Sequence, residues 1–213
     1  MQKLLFTLSM MLTIAHLCVG QNAISSKQID KYFNKKESKE LAHIISFVDS
    51  LVVAKTDIQE MDKAYHHYLD SLHVNSAHGN YNWAFDEEMK YKFLFHIDST
   101  VFNKIWIKQT TSRMVKTSDT TLYYPENFIS LDLKSAGDYA KLIRNLGKTN
   151  ANYKAYYQTI EIAGSLSPSV VAGFLTNHNK FDFDNSNNRL WAAVFLLTLE
   201  ESVDKKVERY LNN

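Results

Sequence analysis

Four side chains on one stretch of this chain could act together: Asp62, His66, Asp70 and His73 recur at i, i+4, i+8 and i+11. On a helix that spacing puts them within one strip along its side. Imidazoles and carboxylates on one strip form a donor set that zinc or another divalent metal takes. His78 follows in the polar run Asn75-Ser76-Ala77-His78-Gly79-Asn80. On a helical projection, however, the strip borders the apolar face, and no HExxH or similar spacing is present. A solvated Asp/His flank therefore competes with the metal reading.

A second candidate lies near the C-terminus, where Asp182-Phe183-Asp184-Asn185-Ser186-Asn187-Asn188 places side-chain oxygens at alternate positions. The start resembles a calcium loop. The sixth position is Asn187 where the turn wants glycine, and the twelfth is Ala193 where a bidentate Glu belongs. Asp182 and Asp184 stay as possible ligands, while the Asn and Ser residues also serve as turn formers and N-cap of a following helix.

His96 shares a helical side with Phe85, Met89, Phe93 and Ile97, and a histidine so placed is expected to donate to a backbone carbonyl. No Ser, Asp or Glu partner can be assigned to it, so no triad is assembled. Tyr153, Tyr156 and Tyr157 are candidates for ligand binding, together with the Tyr65/Tyr68 pair, Tyr123-Tyr124, and Trp83, Trp106 and Trp191. Such rings stack on peptides and sugars while their polar tips stay wet, although at helical spacing they also edge a core. The chain carries no phosphate loop, zinc finger, nucleophile elbow or dinucleotide fingerprint. No cofactor is expected.

The elements that must position these residues are mostly helical. With two Pro in 213 residues there is little to break helices. A charged helix is expected over Lys27 to Lys36. A second follows, capped by Ser38, with Leu41, Ile44, Ile45, Val48, Leu51 and Val52 as its inner stripe. Thr56 with Gln59 has capping-box spacing and predicts a third helix with Ile58, Met61, Tyr65, Tyr68, Leu69 and Leu72 inward. The fourth is predicted from about Trp83 to Ile97. Residues from Gln109 to Thr121 read as loop or a short strand, and Tyr124-Pro125 stops any helix there. Beyond it, Ser135/Asp138 starts a helix ending at Gly147; Tyr153, Tyr156, Tyr157 and Ile160 form the next stripe, closed by Gly164; Ser167-Pro168 opens another. From Leu190 to Leu199 only Thr198 is polar, which predicts a helix buried all round. The expectation is an all-α, single-domain array of about seven or eight helices around that C-terminal helix, with an irregular middle and a possible short strand pair.

The first residues bear on where the chain goes. Met1-Gln2-Lys3, an uncharged and mainly apolar run from Leu4 to Leu17, and Cys18-Val19-Gly20 have the three parts of a secretory signal peptide. Cleavage is expected after Gly20, leaving residues 21–213 as one helical domain. Lipidation at Cys18 is the alternative, but Ile14-Ala15-His16-Leu17 lacks the small residue such a site wants just ahead of the cysteine. Removal of residues 1–20 takes away Lys3 and the one Cys, so 24 basic against 23 acidic residues becomes a formally neutral, cysteine-free chain. Export without cysteine fits a bacterial periplasm or cell surface. Neutrality gives no reason to expect nucleic acid, and the ten-residue run from Leu190 to Leu199 is too short to cross a bilayer. The leading expectation is an exported, non-enzymatic binding or interaction protein of a bacterial envelope with a protein, peptide or carbohydrate partner. The alternatives are an envelope hydrolase or metal-dependent enzyme with a dispersed site, and an immunity-like inhibitor.

Overall fold

The computed structural model of the chain describes residues 27–77, 85–110, 114–123 and 129–212. The leader, His78 and its loop neighbours, Trp83 and the Tyr124-Pro125 step lie outside these residues.

Asn34 starts the first helix, α1 (Lys35–Thr56), with a full capping box. Its side chain accepts from the backbone of Lys36 and Glu37, and the Glu37 carboxylate takes the Asn34 N–H at 2.8 Å. The helix therefore begins ahead of the Ser38 cap expected from sequence, and Ser38 is buried on its inner side. Residues 27–33 form turns in place of a separate helix, yet Ile29 and Phe33 still enter the core. Thr56 closes α1 by donating to the Val52 carbonyl, and α2 (Met61–Ala77) starts beyond Asp57, which adopts a left-handed conformation.

The helix predicted from about Trp83 to Ile97 is shorter, and a separate helix follows it. Asp86 caps α3 (Glu87–Leu94) and Asp98 caps α4 (Ser99–Ile105), each accepting a backbone N–H at 2.8 Å. Asp98 lies just past the predicted end at Ile97 and starts α4, its side chain offering the backbone a partner there.

The irregular middle is a folded-back ribbon. β1 (Trp106–Thr110) pairs antiparallel with β4 (Ile129–Leu133), and between them β2 (Met114–Lys116) pairs with β3 (Thr121–Tyr123). The ladders are nested about one reversal, Trp106 opposite Leu133 and Met114 opposite Tyr123.

Helical signals are cleaner in the last third: α5 (Asp138–Leu146), α6 (Ala151–Ala163), α7 (Pro168–Asn177) with a 3-10 turn at His178–Lys180, α8 (Ser186–Thr198) and α9 (Val203–Asn212). Asn150 caps α6, and Gly164 ends it at φ 73, a conformation that favours glycine. Every residue of α8 from Leu190 to Thr198 is buried, against α1 on one side and the rings of Tyr156 and Phe174 on another. The described residues thus form nine α-helices around one connected apolar core that runs from Ile29 to Leu197. None of these helices is long and apolar enough to cross a membrane.

The charged C-terminal stretch is drawn into this core. Glu87, only 2% exposed, receives Lys90 at 3.5 Å, Lys206 at 3.6 Å and Arg209 at 3.1 Å. Lys206 also pairs with Glu200, and Lys90 donates to the Leu199 carbonyl. The network pins α9 and the α8–α9 link to α3.

Candidate functional site

The α2 strip forms as its spacing dictates, and the fold adds a partner from far along the chain. His178, carried by the 3-10 turn after α7, inserts between the strip residues. His66 Nδ1 lies 2.8 Å from His178 Nδ1, His178 Nε2 lies 2.9 Å from Asp70 Oδ1, and His66 Nε2 lies 3.3 Å from Asp62 Oδ1. Asp62 also accepts the Phe183 N–H at 2.7 Å. The Phe183 ring packs on Tyr65 and against the edge of His66.

Proton counting constrains this chain of four. A carboxylate only accepts, so His178 Nε2 must carry the hydrogen that bonds Asp70. One hydrogen between the two Nδ1 atoms then joins the rings, and Asp62 lies beside the remaining nitrogen, His66 Nε2. Burial lowers the pKa of His178, opposed by Asp70 and reinforced by the nearby His66 and His73. A proton on His178 is therefore harder to hold than on a free imidazole. All four ring nitrogens face a partner.

The other candidates fall around and away from this cluster. Asp182 and Asp184 flank it, joined to Asp62 through the Phe183 backbone. Their loop is closed on itself: Asp182 Oδ1 accepts from Asp184 N, and the Asp182 and Asp184 carbonyls accept from Asn188 and Arg189. His73 stays at the solvent, one turn beyond Asp70. His96 bonds the Lys92 carbonyl at 2.6 Å, as expected, but does so exposed and past the end of α3. Among the described residues, no group of three or more His, Cys, Asp or Glu is placed to hold a metal ion.

The three tyrosines of α6 separate by helical angle. Tyr153 points into the core, its hydroxyl donating to Asn188 at 2.6 Å. Tyr156 stacks on Trp191 and donates to the Gly173 carbonyl, with burial raising its pKa to about 12. Tyr157, half-exposed, lines an open groove of about 450 Å³ between α5 and α6 with Arg144, Gly147, Lys148, Lys154, Gln158 and Glu161. The Arg144 guanidinium sits 5.3 Å from the centre of its ring, a cation–π contact. Its hydroxyl donates to Glu161 at 2.6 Å, and that bond raises the pKa of the phenol. Gly147 makes the groove narrow: a Cβ there would meet Lys154 Cα at 2.9 Å, so only glycine lets the end of α5 abut the first turn of α6.

Sequence reasoning found the strip and Tyr157 but missed His178, Arg144 and the two lysines. No local pattern marks His178, which lies 112 residues from His66. Gly147 was readable as a helix end, and the cations on either side of it were the available signal for the groove. The chain matches no known protein family, no curated protein and no solved structure.

Proposed function

We propose that this chain is an exported, non-enzymatic binding protein of a bacterial envelope, and that the α5–α6 groove is its partner-facing surface. The groove carries the reading: one half-exposed tyrosine, three exposed cations and an exposed glutamine converge there on two helices and the turn that joins them. Function is best held by groups whose scaffold does not move, and both helices are anchored by core residues, Tyr139 and Leu142 on α5, Tyr153 and Ile160 on α6. Export is the expectation from the leader-like start at Met1–Gly20.

The hydrolase alternative needs a histidine nitrogen free to take a proton from a nucleophile or water. In the His66–His178 cluster three of the four ring nitrogens are hydrogen-bonded and the fourth, His66 Nε2, lies 3.3 Å from the Asp62 carboxylate, which favours a structural clasp over a general base.

A photo-crosslinking residue placed at Gln158 in the full chain, expressed in its host, tests the reading. A discrete adduct is expected at position 158 and none with the same residue at Lys63, an exposed site on α2. No adduct at 158, or equal adducts at both positions, would overturn it.

A further inference from the structure

We infer that the α5–α6 groove takes an extended acidic segment of a partner polypeptide, with its carboxylates at the Lys148/Lys154 end and a non-acidic residue at the Glu161 end. This rests on the groove being the partner-facing surface and names the chemistry of the partner.

The argument begins with spacing. Lys154, Tyr157, Gln158 and Glu161 stand at i, i+3, i+4 and i+7 of α6, so they form one strip about 10 Å long. About three residues of extended chain cover that length. Charge is distributed unevenly along it. Lys148 and Lys154 gather at the N-terminal end of α6, where the helix dipole also favours negative charge, and Arg144 projects over the middle at Tyr157. None of these three cations pairs with a carboxylate of the described residues, whereas Glu161 at the far end already holds the Tyr157 hydroxyl. The strip is therefore cationic at one end and anionic at the other. A ligand with carboxylates throughout would meet Glu161; one with carboxylates at one end only would not.

Two features favour a peptide over an acidic sugar. Sugar-binding tyrosines offer a free ring face and a free hydroxyl, but here the guanidinium covers the ring and Glu161 takes the hydroxyl. Gln158, exposed in the centre of the strip, has a carboxamide that can donate to and accept from a peptide group at once. The groove is also open along its length, which suits a chain passing through it better than an enclosed small molecule.

Exposed ion pairs of this kind are individually weak and screened by salt, so binding should fall steeply with ionic strength. Fluorescein-labelled decapeptides titrated against the full chain provide the test: one with an acidic half and a neutral half, one acidic throughout, one neutral, with a uronate oligomer and inorganic phosphate as competitors. The half-acidic peptide is expected to bind about tenfold tighter than the neutral one at low salt. R144Q/K148Q/K154Q should remove that advantage. E161Q should strengthen the fully acidic peptide selectively, a readout that survives even if the triple variant fails to fold. Equal affinity for half-acidic and neutral peptides, an E161Q chain that treats both acidic peptides as the parent does, or tighter binding of the uronate or of phosphate would each overturn the inference. If peptide binding fails while the Gln158 adduct still forms, the acidic chemistry is wrong and the surface stands; if both fail, the surface falls as well.

Discussion

At the scale of single residues, the His66–His178 contact has a definite response to pH. Burial holds the folded pKa of His178 below the ordinary imidazole value of 6.5. The unfolded chain then binds more protons than the folded one as pH falls below about 6.5, and stability declines with it. The geometry acts the same way, since hydrogens on both Nδ1 atoms at once would face each other across 2.8 Å. His178→Gln keeps a donor for Asp70 and removes the titrating ring. Urea unfolding at pH 7.5 and 5.0 should therefore show a smaller acid loss in the variant than in the parent chain. Equal losses would mean that other groups carry the pH dependence. This cluster was half legible in the sequence: Asp62, His66 and Asp70 announce themselves by helical spacing, but His178 is brought there by tertiary folding and belongs to no local period.

At the scale of elements, legibility follows how local the determining contact is. Asn150, Gly164 and the Ser167-Pro168 step each mark a helix end through atoms within four residues, and α6 and α7 were readable to within a residue or two. The Asn34/Glu37 box is equally local but competed with Ser38, which had the cap chemistry without the right depth. Asn34→Ala should cost about 1 kcal/mol, measured by urea denaturation; Ser38→Ala, at a buried hydroxyl without a hydrogen-bond partner, should cost less. Gly164→Ala should cost about 1–2 kcal/mol, because the alanine Cβ is disfavoured in the left-handed region although there is open space around it. A loss under about 0.3 kcal/mol would show that the backbone relaxes there, as only an unstrained Gly→Ala change is free of that penalty. The strands were the least legible elements. The register of β1 and β4 is set by pairing between residues as distant as Trp106 and Leu133, and β2 and β3, three residues each, are too short to show a period.

At the scale of the whole molecule, two unlike devices close the fold: an all-round apolar helix, α8, and a buried charge cluster that fastens α9 to α3. The first was visible as an unbroken apolar run. The second was hidden, because a charged tail ordinarily reads as solvated, and only its partners on α3 show otherwise. The two fail differently. Trp191→Ala removes a ring wedged among Tyr156, Phe174 and Phe195 and should cost about 3–5 kcal/mol at any pH, the ordinary penalty of a large cavity. Glu87→Ala should cost about 3 kcal/mol at neutral pH, since it takes the carboxylate from the buried Lys90 ammonium, which keeps only the Leu199 carbonyl as a hydrogen-bond partner, and leaves Lys206 paired with Glu200. That loss depends on pH. Burial already lowers the Lys90 pKa in the fold, and Glu87 is the first of the groups that oppose this. Without the carboxylate, folded Lys90 releases its proton at still lower pH, while in the unfolded chain it titrates normally near 10.5. The unfolded state then binds more protons, and stability rises with pH. Urea midpoints of Glu87→Ala measured at pH 7 and pH 9.5 should converge toward those of the parent chain, whereas the deficit of Trp191→Ala should not change. A Glu87→Ala deficit equally independent of pH would mean that the lysines escape to solvent when their partner is lost, and that α9 is held to α3 by packing alone.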